Sequence, residues 1–217
     1  VVEHRNIKYP RLEFGPEALF LILPKHIQEE EILKRKENWI KRKYEIIKEV
    51  SKVKGDLLNK FPMFGNIYKI RNSPKVTEFK MDLEHKEVEI NGKEHIKDFK
   101  RCLTTLLRNK LLSIVNEYSN EMNAKFNKIF IRTQKTKWAS CSLKRNLSFN
   151  LKLISLSDDL IKYIVFHELV HLKERKHNYE FINTIKRKYK NFEELERILF
   201  KYWFILSRNK IWKMILP

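Results

Sequence analysis

From Ser157 to Leu172 the chain spells a helix whose two sides differ in chemistry. Ile161, Ile164, Val165, Leu169 and Leu172 recur at helical spacing and give one apolar side. Ser157 stands as an N-cap, and Asp158 and Asp159 put carboxylates in the first turn, where the helix dipole favours them. Just before it, Phe126 to Thr133 and Leu147 to Leu153 read as strands joined by a polar loop. A helix of this kind needs cover, and strands that feed it directly supply a sheet. The expected class is α+β, with a mixed β-sheet behind one central helix.

The remaining segments fit that class. Asn6 to Tyr9, Leu12 to Phe14 and Ala18 to Leu23 read as strands, the last stopped by Pro24. An amphipathic helix from Ile27 to Val50 turns Ile32, Leu33, Trp39, Ile40, Tyr44, Ile46 and Ile47 inward. Residues 51–66, with Gly55, Pro62 and Gly65, read as a connection. Strands are expected at Ile67 to Ile70, Val76 to Met81 and Glu87 to Ile90, after which Asn91-Gly92 makes a strand-to-helix turn. A second long helix over 94–121 and further helices from Tyr179 to about Ser207 complete the chain. The division expected is a β-rich amino-terminal part with one long helix over 1–92 and a catalytic part over 93–217, possible also as one continuous domain.

Only 4 Gly and 6 Pro against 42% apolar and 34% charged residues exclude a disordered or fibrous chain. The apolar run Ala18 to Leu23 is far short of the ~18 to 20 residues that cross a bilayer, so no membrane partner is expected. Cys102 and Cys141 make no disulfide framework and no leader-like segment precedes Arg5, which points to a reducing, cytoplasmic setting. The chain opens on Val1 in place of Met, which is compatible with removal of a residue or a leader.

The helix also carries His167-Glu168-Leu169-Val170-His171. Residues four apart sit about 40° around the axis and one turn along it, so both imidazoles share a face. One divalent ion between them takes two nitrogens at about 2.0–2.1 Å, with Glu168 left to act as general base on a metal-bound water. A catalytic ion needs a third protein ligand. His177 is the first choice and requires the helix to end near Glu174 to Lys176, because on a continuous helix it would point about 120° away from His171. Glu174, Glu193, Glu194 and Glu196 are competing donors, and a site without a third protein ligand stays open.

Lys135-Thr136-Lys137-Trp138-Ala139-Ser140-Cys141-Ser142, then Leu147-Ser148-Phe149-Asn150, then the His167 to Leu172 stretch with His177, together resemble the YgjP-like metallopeptidase family. That family is a zincin relative of the SprT-like and WLM proteins. Arg11-Leu12-Glu13, Leu21-Ile22-Leu23-Pro24 and Trp39-Ile40 are similar to its amino-terminal region, so the likeness runs along nearly the whole chain. Ala139 stands where the family usually has Gly, and Lys137 where it often has Arg. The resemblance implies a zincin-like fold and a zinc-dependent hydrolase with one Zn2+ per chain on the histidines already named. Related SprT-like and WLM proteins act as DNA-linked proteases.

The loop between the two strands is expected to border the metal cleft, where an exposed strand would accept an extended peptide. Trp138 reads as core or cleft wall and Cys141 as a small buried hydrophobe. Lys135, Lys137, Ser140 and Asn150 are candidates to bind substrate or an anion, and Tyr179 or a basic loop side chain to stabilise an oxyanion. From 122 to 157 the chain has Lys125, Lys128, Arg132, Lys135, Lys137, Lys144, Arg145 and Lys152 and no acid, within a net charge of +19. DNA or another polyanion is therefore a candidate partner, against a background that raises Lys everywhere. Three functions remain in play: a zinc-dependent metallopeptidase acting on polypeptide, a metal-dependent nucleotide phosphohydrolase on the same site, and a zinc-stabilised nucleic-acid-binding module. An intact Glu168 disfavours the last, since binding alone has no use for a base.

Overall fold

The structure, a computed structural model, describes residues 1–15, 18–52, 56–92 and 94–216. Gly55 of the expected connection and residue 93, where the catalytic part was expected to start, lie outside the described residues.

The amino-terminal sheet holds β1 (Val2–His4), β2 (Arg11–Phe14) and β3 (Leu19–Leu23) in the order β1-β3-β2. β1 runs parallel to β3 and β2 antiparallel to it. The strand expected at Asn6 to Tyr9 is absent, and pairing falls on Val2–His4 instead. The Arg5 N–H reaches the Leu23 carbonyl and the Ile7 N–H turns back to Arg5, so the chain leaves the sheet before Asn6 can pair. α1 (Glu29–Ser51) buries Ile32 against Leu21 and Leu23, and Val50 against Phe204 and Ile205. Tyr44, expected inside, is 58% exposed, because the two ends of α1 lean on different partners and no single stripe faces inward throughout.

After α2 (Asp56–Asn59), β4 (Phe61–Met63), β5 (Asn66–Asn72), β6 (Lys80–Asp82) and β7 (Glu87–Ile90) pair in the order β4-β5-β7-β6. The β4–β5 hairpin turns through Phe64 at φ 48° and Gly65 at φ 77°, both left-handed, as the tight primed turn of a right-twisted hairpin requires. The strand expected over Val76 to Met81 shrinks to Lys80–Asp82, because Ser73-Pro74 opens a turn closed by the Val76 N–H on the Ser73 carbonyl. Asn91 accepts the Glu94 and His95 N–H groups at the turn into α3 (Ile96–Glu121).

The third sheet, β8 (Ile129–Arg132), β9 (Ala139–Cys141) and β10 (Leu147–Asn150), has the order β8-β10-β9. Its edge strand β9 lies in what the sequence presents as loop. The strand expected to Leu153 stops at Asn150, whose side chain accepts the Lys152 N–H and turns Leu151–Ser155 into a short 3-10 helix. α4 (Asp158–Val170) follows, then α5 (Tyr179–Lys188), α6 (Phe192–Arg208) and α7 (Lys210–Ile215). Ser157 occupies the N-cap of α4 without accepting through its side chain, and Asp158 pairs with Lys110 at 2.6 Å.

α4 is covered by α3, β9, α5 and α6. Phe99, Leu103, Leu107 and Leu111 of α3 and Ile161, Val165 and Leu169 of α4 share one apolar cluster that extends from Phe61 to Ile215. Each of these side chains excludes water nearly completely, worth roughly 1.5–3 kcal/mol apiece, which is why α4 can hold polar groups on its remaining face. No described helix is long and apolar enough to cross a membrane.

Candidate metal centre and active site

The chemistry sits where α4 ends. The α-helix stops at Val170, earlier than the expected exit near Glu174 to Lys176, and His171 is its C-cap. The Glu174 N–H returns to the Val170 carbonyl at 2.8 Å, closing the turn. No residue of this exit has a positive φ, which explains how the chain reverses without the glycine that such exits often use. Asn178 then caps α5 by accepting the Phe181 N–H, and its amide donates to Glu174 Oε2 at 3.2 Å. These bonds fold His177 back over the helix.

The result is a cluster of imidazoles. The ligand atoms of His167, His171 and His177 lie within 4.8 Å of one another. His167 Nε2 and His177 Nε2 are 3.2 Å apart, close to the ~3.3 Å between two nitrogens on one tetrahedral ion at about 2.0–2.1 Å. His171 Nδ1 meets the Glu174 carbonyl at 3.0 Å, a bond that puts the proton on Nδ1 and leaves Nε2 as the lone-pair donor. Phe181, fully buried, packs against all three rings with centroids 4.6–4.9 Å away.

Electrostatics favour the uncharged form of His167 and His171. Burial, then repulsion from His171 and His177, pulls the His167 pKa down to about 3. Burial also lowers His171, against the Glu174 carbonyl. Neutral imidazole is the form that donates to a metal. Glu168 is only 6% exposed, and its Oε2 has no hydrogen-bond partner. Burial pushes its pKa up to about 8, while Lys137 and the Cys141 backbone N–H pull it down. Three imidazoles whose ligand atoms converge are a donor set that fits a divalent cation, and the partnerless Oε2 of Glu168, on the same helix, is a carboxyl oxygen left for another role.

Glu196 lies on the outer side of His167, its Oε1 3.9 Å from Nδ1, and it accepts the Tyr163 hydroxyl at 2.6 Å. Two of the other competing carboxylates have partners elsewhere: Glu174 Oε2 accepts from Asn178 at 3.2 Å, and Glu194 pairs with Arg197 at 3.7 Å. Glu193 is an exposed side chain at the start of α6. The part of Glu196 had no local signal in the sequence, since α6 comes beside α4 only through packing.

The loop candidates divide. Asn150 is fully buried: its Nδ2 donates to the Gln134 and Lys137 carbonyls at 2.8 and 2.9 Å, and its Oδ1 accepts the Lys152 N–H at 3.1 Å. It therefore holds the loop in shape. Ser140 sits in β9 opposite Ser148. Lys137 is exposed and acts on Glu168, whereas Lys135 lines, with Trp138, a separate cavity against the amino-terminal sheet. Trp138 meets Trp203 edge-on at 4.9 Å. Cys141 is half-buried, and burial raises its thiol pKa. Tyr179, at the start of α5, is 76% exposed. Arg175, absent from the sequence reading, donates to the Ser142 and Leu143 carbonyls at 3.0 and 3.4 Å and ties the helix exit to the β9–β10 hairpin. Of the basic residues of 122–157, Arg145 bonds the Lys125 carbonyl and Lys152 is half-buried over Trp203, while Lys125, Lys128, Arg132, Lys135, Lys137 and Lys144 are exposed.

β9 is an edge strand. The Asn150 N–H bonds the Trp138 carbonyl and the Ser142 N–H bonds the Asn146 carbonyl, so the alternate residues Ala139 and Cys141 direct their backbone groups away from β10. The Cys141 N–H is the one that reaches Glu168.

No curated protein matches the sequence. Among solved structures, the metallopeptidase zymogen jannalysin of Methanocaldococcus jannaschii is 30% identical over 41% of this chain and 92% of its own, with a TM-score of 0.38. The metallopeptidase zymogen abylysin of Pyrococcus abyssi is 21% identical over 42% of this chain and 93% of its own, with a TM-score of 0.39. The architecture is α+β and zincin-like. The YgjP-like metallopeptidase domain matches residues 8–202, which takes in β2 and β3 of the amino-terminal sheet, the hairpin of β9 and the histidine cluster alike, and the chain thus belongs to the YgjP-like metallopeptidase family.

Proposed function

We propose that this chain is a zinc-dependent peptidase in which His167, His171 and His177 hold one Zn2+ and Glu168 is the general base. The observation that carries the reading is the convergence of three imidazoles on a helix that also carries a buried, partnerless carboxyl oxygen. When bound, zinc would supply a Lewis acid that polarises a carbonyl and acidifies water. Glu168 would take the proton of the attacking water and return it to the leaving amine. The Cys141 N–H would hold the carboxyl in the orientation from which it does so. His171 would be kept in its donor tautomer by the Glu174 carbonyl, and His167 would be backed by Glu196. The free backbone groups of Ala139 on the edge of β9 would pair with an extended polypeptide, which favours a peptide bond over a phosphoanhydride as the scissile group. The test is hydrolysis of an unfolded protein such as casein by zinc-loaded chain, with Glu168→Gln as the blank. Equal hydrolysis by both proteins, or none by either with zinc bound, would sink the reading.

A further inference from the structure

A cavity of about 740 Å³ opens between the amino-terminal sheet, α1, α6 and the loop before β9. This is the size of a pocket that encloses a ligand or several side chains of a chain laid through it. Trp39, Trp138 and Trp203, three of the four tryptophans, line it together with Lys43, Lys135 and Lys152. The Lys43 ammonium stands 4.0 Å over the Phe200 ring and the Lys152 ammonium 5.3 Å over Trp203. Both lysines are half-buried, and burial pulls their pKa values down. Glu196 opposes this at Lys43, and no carboxylate does so at Lys152. An ammonium withdrawn from water is poorly compensated at Lys152, which has no carboxylate acting on it, and only partly by Glu196 at Lys43, and an arriving anion would relieve both.

We propose that this cavity binds an acidic segment of the polypeptide substrate, one that carries carboxylates beside an aromatic or large apolar side chain. The inference rests on the peptidase reading and adds the substrate class. Two features select polypeptide over nucleic acid. Glu3, Glu13 and Glu196 also line the cavity and would repel a continuous phosphate backbone, whereas spaced carboxylates can meet the lysines singly. Trp138 immediately precedes β9, so a chain paired along that edge runs off its end into the cavity. Glu196 joins the two places, lining the cavity and standing 3.9 Å from His167 Nδ1.

The test uses the full chain carrying Glu168→Gln, zinc-loaded, and fluorescein-labelled peptides of Glu and Phe, with Gln-for-Glu and Lys-for-Glu counterparts. Anisotropy and tryptophan emission are both read. The acidic peptide is expected to bind about tenfold or more tighter than its Gln counterpart and to change the emission. Lys43→Glu and Lys152→Met should each remove most of that preference. Should Lys152→Met or Lys43→Glu fail to fold, Lys135→Glu, on an exposed side chain of the same cavity, carries the decision. Equal affinity for the three peptides, or an oligo-dT strand that binds more tightly and loses as much from the same substitutions, overturns the proposal. Cleavage by the wild-type chain is scored separately: its absence refutes the peptidase reading, while the cavity stands or falls on the binding data alone.

Discussion

The Nε2 atoms of His167 and His177 lie 3.2 Å apart, although ten positions of chain and the end of a helix separate the two residues. At that distance either one ring donates its N–H to the other or both lone pairs meet on a shared cation, and the second arrangement is the one the proposed zinc site uses.

The first prediction is one zinc per chain by metal analysis. His167→Ala, His171→Ala and His177→Ala should each weaken binding by at least about a hundredfold. Zinc at 100 times its Kd should raise stability by about 2.7 kcal/mol in the parent and by little in the variants. His177→Ala that still binds like the parent would remove His177 from the ligand set.

A second prediction concerns Glu168 and pH in metal-free protein. The folded pKa of Glu168, about 8, lies above its ordinary 4.5, so the folded chain keeps the proton longer than the unfolded one. Its contribution is complete below about pH 4.5 and is lost as pH rises through 8. His167 works in the opposite sense. With a folded pKa of about 3 against 6.5, its contribution is complete above pH 6.5 and is lost as pH falls through 3. Thermal melts of chelator-treated protein should therefore peak near pH 5–6.5. Glu168→Gln should abolish the alkaline decline, a difference of roughly 5 °C or more at pH 8.5, and leave the acid limb in place. The same variant should keep zinc and lose nearly all hydrolysis.

Asn150 and Arg175 give a third prediction, on the support of the hairpin. Asn150→Ala leaves the Gln134 and Lys137 carbonyls without their donor inside the protein and should cost roughly 2–4 kcal/mol in denaturant titrations. Arg175→Ala, at an exposed site, should cost less than about 1 kcal/mol of stability yet lower kcat/KM by roughly tenfold with zinc affinity nearly unchanged. If Arg175→Ala instead lowers stability and activity in proportion, the residue is a structural tie with no bearing on the cleft.

The fourth prediction addresses the +19 charge. Should the run from 122 to 157 meet DNA as one surface, reversing Lys135, Lys137 and Lys144 to Glu would reduce the log-log salt slope of binding by about one unit per lost phosphate contact. Arg145 and Lys152 of that run are engaged with neighbouring groups, and if the charge is diffuse background the reversals match three reversals on exposed lysines of α1 within error. A steeper loss from the loop set, measured by filter binding at several salt concentrations, would establish a polyanion surface there.

The α3 and α4 helices were legible because their apolar residues repeat over many turns, and a long periodic signal survives any single exposed position. The pairing of His167 with His171, and the adjacency of Glu168, follow from the pitch of one helix and needed nothing else. Short strands were less legible. Val2–His4, Lys80–Asp82 and Ala139–Cys141 are too brief for a period to develop, and what makes them strands is a partner already in place. Asn150 shows the same limit, since two of its side-chain hydrogen bonds reach Gln134 and Lys137, distant in the chain, and fix it where the third, from the Lys152 N–H, turns an expected strand.

Residue order alone thus determined an α+β chain built on a buried helix that carries two imidazoles and a carboxyl on neighbouring faces, because helical geometry is local and repeats every few residues. Tertiary structure decided the rest. It set where α4 ends, which carbonyl orients His171, that Glu196 stands behind His167, that an edge strand donates to Glu168, and that three tryptophans and two half-buried lysines share one cavity. Each of these depends on contacts between segments distant in sequence, whose free energy comes from burial and mutual packing and exists only once the segments have met.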